Sequence, residues 1–346
     1  MPDDASAAAV AALPEVPRAF GGSRLRWSDL PEDLRTEIEA VAGARVVAET
    51  TTTTGFSPGL ASVLTLATGE RIFVKAARTG DHRATADLHR AEAHIAIHLP
   101  RPVPSPRFLW GHGDTDWIVL AYEAVAGRVP PVPWPLDDLD RVLAALDVLA
   151  HVPGARAMSL PPAGPELASM SSGWARLRAE PTPTLAQDAP WAAQRLDELV
   201  AVERHVLVAC EGEAIVHGDI RGDNVLLTAD AAYLVDWPHA MRGAPWLDLA
   251  LFLPSVLMQG VDDLVAPVMR SRAAARDGGA WAARRFAEHP LGARVHPGDL
   301  RAVVAGIAGY FLDSARKPPP PDGPGLRPFQ RAQGIAAVAW LEELGI

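Results

Sequence analysis

The chain has 346 residues, 49% hydrophobic and 21% charged, a composition typical of globular and not of disordered proteins. Its 32 Lys plus Arg against 42 Asp plus Glu leave a net charge of -10, which argues against nucleic acid as a partner because backbone phosphates are bound through a basic footprint. The single Cys210 excludes an intramolecular disulfide and Cys-rich zinc or redox motifs. The opening MPDDASAAAVAALPEV carries acids where a secretory signal carries positive charge. No apolar run reaches the roughly 18 residues of a membrane span, so a cytoplasmic protein with no membrane partner is expected.

In chain order, residues 1–27 read as an Ala/Pro/Gly-rich mobile arm. Asp29 with Glu32 reads as a capping box opening a helix through about Val41, ended by Gly43. Strands are predicted over 46–54, 61–67 and 71–77, with the turn GFSPG at 55–59 between the first two. Helical spacing follows from His82 to Leu99, then strands near 106–110 and 117–123. The composition shifts at Gly127, where GRVPPVPWP reads as a linker. Beyond it, helical periodicity covers 136–150, 191–209, 246–258, 262–276 and 327–343. The pattern predicts an α+β protein with an arm and helix (1–42), a sheet domain (43–126) and a larger helical domain (127–346), and a ligand cleft between the two domains.

One compositional imbalance points to chemistry. Of the basic residues only Lys75 and Lys317 are Lys, and Asn224 is the only Asn in the chain. Where Arg serves as the generic cation, a retained Lys or Asn marks a site that needs a compact ammonium or a neutral amide oxygen.

The segment 214–237, AIVHGDIRGDNVLLTADAAYLVDW, is the most informative stretch. Ile215 and Val216 deliver His217, Gly218 and Asp219 into a loop, and 225–228 and 233–236 read as a short antiparallel hairpin. With facing residue numbers summing to about 461, Val225 faces Asp236 and Asn224 ends beside it. An amide oxygen and a carboxylate on one hairpin, with Asp219 close by, suit a divalent cation, Mg²⁺ best, with a base alongside. Chance yields HxDxxxxN about 0.002 times in such a composition, so the spacing carries weight.

The sheet half supplies a second cluster. Along IFVKA, Phe73 and Lys75 share one face and Ile72 and Val74 the other. On the next helix Glu92 falls on the apolar stripe of Leu88, Ile95 and Leu99, so it needs a partner, and Lys75 is the candidate. The GFSPG turn can offer backbone N–H groups to phosphate.

With His217-Gly218-Asp219, Asn224, Asp236-Trp237 and Leu247-Asp248-Leu249-Ala250, the sequence resembles the aminoglycoside phosphotransferase family. These are protein-kinase-like small-molecule kinases, with choline, homoserine and fructosamine kinases as relatives. The resemblance spans about residues 43–345. It implies a bilobal protein-kinase-like fold with a five-stranded antiparallel sheet and one main helix in the N-terminal lobe, and a mostly helical C-terminal lobe carrying a catalytic β-hairpin. It implies ATP and Mg²⁺ as cofactors and a small-molecule hydroxyl acceptor as substrate. On that resemblance Asp219 orients or deprotonates the acceptor, and Asn224 and Asp236 hold the metal. Lys75, tied by Glu92, holds the α/β-phosphates, Gly55, Ser57 and Gly59 cover them, and the Glu123 carbonyl and Val125 N–H read the adenine.

Two departures stand out. Ile220-Arg221-Gly222-Asp223 replaces the family's usual residues after the catalytic Asp, leaving Arg221 either to contact phosphate or substrate or to pair with Asp223, the latter favoured. Pro238-His239 follows Asp236-Trp237 where many relatives have a second acid, which argues against a second metal. The expected acceptor is an antibiotic or other hydroxylated natural product; the alternatives are a metabolic amino alcohol or sugar derivative, or a nucleotide-binding pseudokinase. An acidic pocket suits a polycation, and an aromatic cage drawn from the ten Trp suits a quaternary amine.

Overall fold

A computed structural model describes residues 24–52, 55, 58–321 and 323–346; Ser57 and most of the predicted arm lie outside them. The sheet half runs β1 (Arg24–Leu25), α1 (Glu32–Ala42), β2 (Val46–Thr51), β3 (Gly59–Leu66), β4 (Arg71–Arg78), α2 (Arg83–His98), β5 (Phe108–Gly113) and β6 (Trp117–Glu123). The strands order as β1-β3-β4-β6-β5, with β2 also paired to β3. Strands β2 to β6 form the expected five antiparallel strands, and the two-residue β1 adds a sixth, parallel to β3.

Alternation decides what each face does. Ile72, Val74 and Ala76 of β4 pack with Leu60, Leu64 and Val119 and with Leu30, Leu34 and Ile38 on and before α1. The opposite face carries Leu120 and Tyr122 against Ala86 and Ala96 of α2. Two expectations need correction. Residues 24–27 belong to the fold and not to an arm, because Leu25 and Trp27 pack on the first of these clusters. Asp29 does not cap α1: its carboxylate accepts the Arg26 N–H at 2.8 Å, and α1 starts at Glu32 after an extended Pro31, with no side-chain cap.

The helical half comprises α3 (Leu136–His151), six short helices, α4 (Ala163–Glu166), α5 (Gly173–Ala179), α6 (Pro183–Asp188), α7 (Pro190–Ala193), α8 (Leu196–Glu203) and α9 (Val206–Ala209), then strands β7 (Ala214–Val216), β8 (Val225–Leu227), β9 (Ala232–Leu234) and β10 (Met241–Gly243), and finally α10 (Leu247–Gln259), α11 (Arg272–Glu288), α12 (Pro297–Ala315) and α13 (Leu326–Leu344). The helix expected at 191–209 is broken into three. The one expected at 262–276 starts ten residues later, where the Ser271 hydroxyl caps α11 by accepting the Ala274 N–H at 3.0 Å. Helix α12 escaped the periodicity because Val303, Val304, Ala305, Ile307 and Ala308 are all buried. A helix apolar all round has no amphipathic stripe to detect.

The predicted linker is anchored. Arg128 exchanges two backbone bonds with Leu227, at 2.9 and 2.8 Å, and its guanidinium binds Asp138 of α3 through both nitrogens at 2.8 Å. This ties the segment leaving the sheet to the 225–234 hairpin. No described helix is long and apolar enough to cross a membrane.

Candidate active site

The loop after β7 is held from three sides. Asp248, in the first turn of α10, accepts the His217 N–H at 2.7 Å and the Gly218 N–H at 2.9 Å, one on each carboxylate oxygen. The buried His217 ring donates from Nε2 to the Val235 carbonyl at 3.0 Å and accepts the Asp219 N–H on Nδ1 at 3.3 Å, which sets a single neutral tautomer. Burial lowers its pKa to about 3. Burial also pushes Asp248 up to about 6, against the two N–H donors that favour its charge. Gly218 has φ 83°, and a Cβ there would lie 2.6 Å from the His239 carbonyl oxygen, so the loop requires glycine.

The hairpin register differs from the predicted one. Val225 faces Leu234 and Leu227 faces Ala232, so Asp236 lies beyond the ladder and does not face Val225. The cause is a tight turn: the Thr228 N–H donates to the Ala231 carbonyl at 2.9 Å, while Thr228 Oγ1 accepts the Ala231 N–H at 3.1 Å, closing the hairpin early. Asn224 still adjoins the end of the ladder, its carbonyl accepting the Val235 N–H at 3.0 Å. Asp236 takes the left-handed conformation, φ 70°, as the chain leaves the strand.

Side chains gather around Asp219. Asn224 Nδ2 donates to the Asp219 carbonyl at 2.8 Å and to its carboxylate at 3.1 Å. One Arg221 nitrogen lies 2.7 Å from both Asp219 carboxylate oxygens, while the rest of the guanidinium binds Asp223 at 3.0 and 3.1 Å and lies over the Phe329 ring. Arg221 thus makes the expected pair with Asp223 and adds one with Asp219. Burial raises the Asp219 pKa, and the Arg221 charge opposes the rise.

The second cluster is as the sheet pattern predicts. Lys75 Nζ lies 2.9 Å from both oxygens of Glu92, which is only 2% exposed on the inner stripe of α2. It also reaches Asp236 Oδ1 at 2.8 Å, a bond between residues 161 apart in sequence. Burial disfavours the Lys75 ammonium, yet Asp236 and Glu92 outweigh it and hold the pKa above the ordinary lysine value. Partial burial likewise disfavours the Asp236 carboxylate, and Lys75 outweighs it, holding Asp236 below the usual range. The reading of the stripe missed His89, one turn before Glu92 and buried with them, which burial brings down to about 3. Its only sequence signal was its place on that stripe.

Gly55 and Gly59 have φ of 91° and 114°, and a Cβ on Gly59 would lie 2.4 Å from the Ala76 carbonyl oxygen. Glu123 ends β6, its N–H bonded to the Arg107 carbonyl at 2.9 Å, and Val125 follows, half-buried, in the connection to Arg128.

A family model described as a phosphotransferase enzyme family matches residues 53–287. The chain belongs to that family. It is a phosphotransferase acting on small molecules, an ATP-dependent kinase by class. Among solved structures the phosphotransferase is similar to a choline/ethanolamine kinase family protein from Mesorhizobium loti, with 16% identity, 92% of this chain and 100% of that one covered, and a TM-score of 0.51. It is also similar to an aminoglycoside phosphotransferase from Streptomyces rimosus solved with ADP and streptomycin, with 20% identity, 81% and 99% covered, and a TM-score of 0.46. No curated protein sequence matches it.

The phosphotransferase's donor set fits a hard divalent cation. Asn224 commits its amide nitrogen to Asp219, which leaves its oxygen as the group available for coordination. Asp236 uses Oδ1 on Lys75 and retains its second oxygen. Two oxygen donors of this kind match what Mg²⁺ takes from a protein, the rest of its shell being water and phosphate.

Proposed function

We propose that this phosphotransferase transfers the γ-phosphoryl group of ATP to a hydroxyl of a small molecule bound between a nucleotide lobe, residues 43–126, and an acceptor lobe, residues 127–346. One observation carries the reading. Lys75 binds Glu92 and Asp236 at once, and the hairpin leading to Asp236 also holds Asn224 against Asp219.

Lys75, oriented by Glu92, positions the α/β-phosphates when its bond to Asp236 is exchanged for phosphate oxygen. Gly55, Ser57 and Gly59 cover the phosphates, and the Glu123 carbonyl and Val125 N–H read the base. Asn224 and Asp236 hold Mg²⁺, which supplies neutralisation of phosphate charge when bound. Asp219 orients the acceptor hydroxyl and takes its proton. Its raised pKa matches that duty, because a more basic carboxylate accepts a proton more readily. Arg221, paired with Asp219 and Asp223, stands where it can meet the transferred phosphoryl group or the acceptor. Rate enhancement comes mainly from positioning and charge neutralisation, as a loose phosphoryl-transfer transition state requires. A cytoplasmic location belongs to the same proposal, since ATP is the donor.

The acceptor we favour is an antibiotic or other hydroxylated natural product. Six of the ten Trp (Trp117, Trp134, Trp174, Trp237, Trp246 and Trp340) are buried, so tryptophan abundance reflects the core and lends no support to an aromatic cage for a quaternary amine. A pseudokinase reading is disfavoured because Lys75, Asp219, Asn224 and Asp236 are all present.

The test crosses ADP release with a panel of aminoglycosides, nucleoside antibiotics and amino alcohols. Asp219→Ala is expected to abolish turnover while leaving nucleotide binding intact, and Asp236→Ala to impair binding of metal-nucleotide. Wild-type turnover in the Asp219 variant sinks the mechanism.

A further inference from the structure

Arg24 precedes the family-matched segment 53–287, yet the sheet carries it into the candidate nucleotide site. Strand β1 pairs Arg24 with Gly59 and Leu25 with Leu60, and across β3 the residue Ala61 faces Lys75. Residues opposed in a ladder point to the same face, and faces alternate along a strand. Arg24, Ala61 and Lys75 therefore project together toward α2 and Glu92, with Gly59 between Arg24 and Ala61. Leu25 turns to the other side, where it packs on the cluster with α1.

Strand geometry puts the two Cα atoms about 12 Å apart, from two strand spacings and a two-residue offset. Long side chains from both ends close much of that span. The glycines keep the intervening surface bare: Gly59 carries no side chain, and the position a Cβ would take on Gly55 lies 2.9 Å from Arg24 Nη2. The guanidinium thus lies close beside Gly55. Burial lowers the Arg24 pKa while the Asp236 carboxylate raises it, and the Arg24 charge also acts on His89, so the guanidinium stands within electrostatic reach of the Lys75–Asp236 pair.

We infer that Arg24 is a second phosphate-binding cation of the nucleotide site, contacting the ATP polyphosphate from β1, beside Gly55, while Lys75 contacts it from β4. This rests on the phosphoryl-transfer reading above. A guanidinium suits the task because its planar fork matches two phosphate oxygens and its charge persists when partly desolvated.

The experiment compares binding of adenosine, ADP and a non-hydrolysable ATP analogue with Mg²⁺ to the full chain by calorimetry, for wild type, Arg24→Ala, Arg24→Lys and Lys75→Ala. Arg24→Ala is expected to weaken the ATP analogue about tenfold, the size of one charged hydrogen bond, and to change adenosine affinity less than twofold. Arg24→Lys is expected to recover part of the loss, which a role confined to the β1–β3 seam does not explain. The assignment is overturned if Arg24→Ala binds the ATP analogue as wild type does, or loses adenosine and ATP equally. If Lys75→Ala weakens ATP and Arg24→Ala does not, the inference alone fails. If the wild-type protein binds no nucleoside triphosphate, the phosphoryl-transfer reading fails with it.

Discussion

Replacing Glu92 by Gln tests how the site holds its lysine. The substitution keeps shape and volume and removes one of the two anions on Lys75, both within 2.9 Å. At that distance and an effective dielectric near 20, the attraction is about 6 kcal/mol, much of it offset by the cost of taking both charges out of water. A net loss of about 1.5–3 kcal/mol remains, the usual worth of a charged hydrogen bond. Lys75 then turns wholly onto Asp236, the carboxylate proposed to hold the metal, and competes with metal-nucleotide for it. The expected result is a fall of roughly 10- to 100-fold in affinity for Mg-ATP, at about 1.4 kcal/mol per factor of ten. Adenosine affinity should hold, because the base is proposed to be read by the Glu123 and Val125 backbone, away from Lys75. Calorimetry with a non-hydrolysable analogue gives both numbers, and ADP release with an active acceptor gives the effect on turnover. A Glu92→Gln protein that binds Mg-ATP within twofold of wild type refutes the reasoning.

Two further outcomes follow from the geometry. His89 and His217 have folded pKa values of about 3 against an unfolded value near 6.5, so the stability from keeping them neutral is complete above pH 6.5 and is lost as pH falls toward 3. At pH 5 this amounts to roughly 2 kcal/mol each, offset in part by Asp248, whose raised pKa of about 6 works in the opposite sense, and by Asp219, Glu92 and Glu203, whose carboxyls burial also raises. Unfolding free energies from denaturant titrations at pH 7.5 and pH 5 should show His89→Leu losing less stability on acidification than wild type; equal losses in the two proteins contradict this. Gly59→Ala should cost about 3 kcal/mol or more, from a φ of 114° and a Cβ 2.4 Å from the Ala76 carbonyl oxygen, whereas Gly80→Ala, with open space around it, should stay within about 0.5 kcal/mol. Comparable unfolding curves for the two variants would show that the turn tolerates a side chain.

Much of the site was legible because its residues are exceptions to local rules. Asn224 is the only Asn, Lys75 one of two Lys, and Glu92 a carboxylate on an apolar stripe. Alternation along β4 told which face Lys75 takes, and the order of Asp219, Asn224 and Asp236 pointed to one loop and hairpin. Other features were illegible for definite reasons. The hairpin register depends on a Thr228 turn that closes early, and pattern alone does not distinguish it from a longer turn. Strand β1 is too short to produce alternation, and α12 is too uniformly apolar to produce a stripe.

By itself the sequence determined most element types, the face that side chains such as Lys75 and Glu92 take and the chemistry available at each position, since these follow from the periods of two and 3.6 and from side-chain functional groups. Only the tertiary structure decided which faces meet. The Lys75–Asp236 bond spans 161 residues, Arg221 divides itself between Asp219 and Asp223, and Arg24 reaches the site through a two-residue ladder. Such meetings are set by packing of the sheet, the anchored 127–128 connection and the hairpin against one another, and no local period along the chain records them.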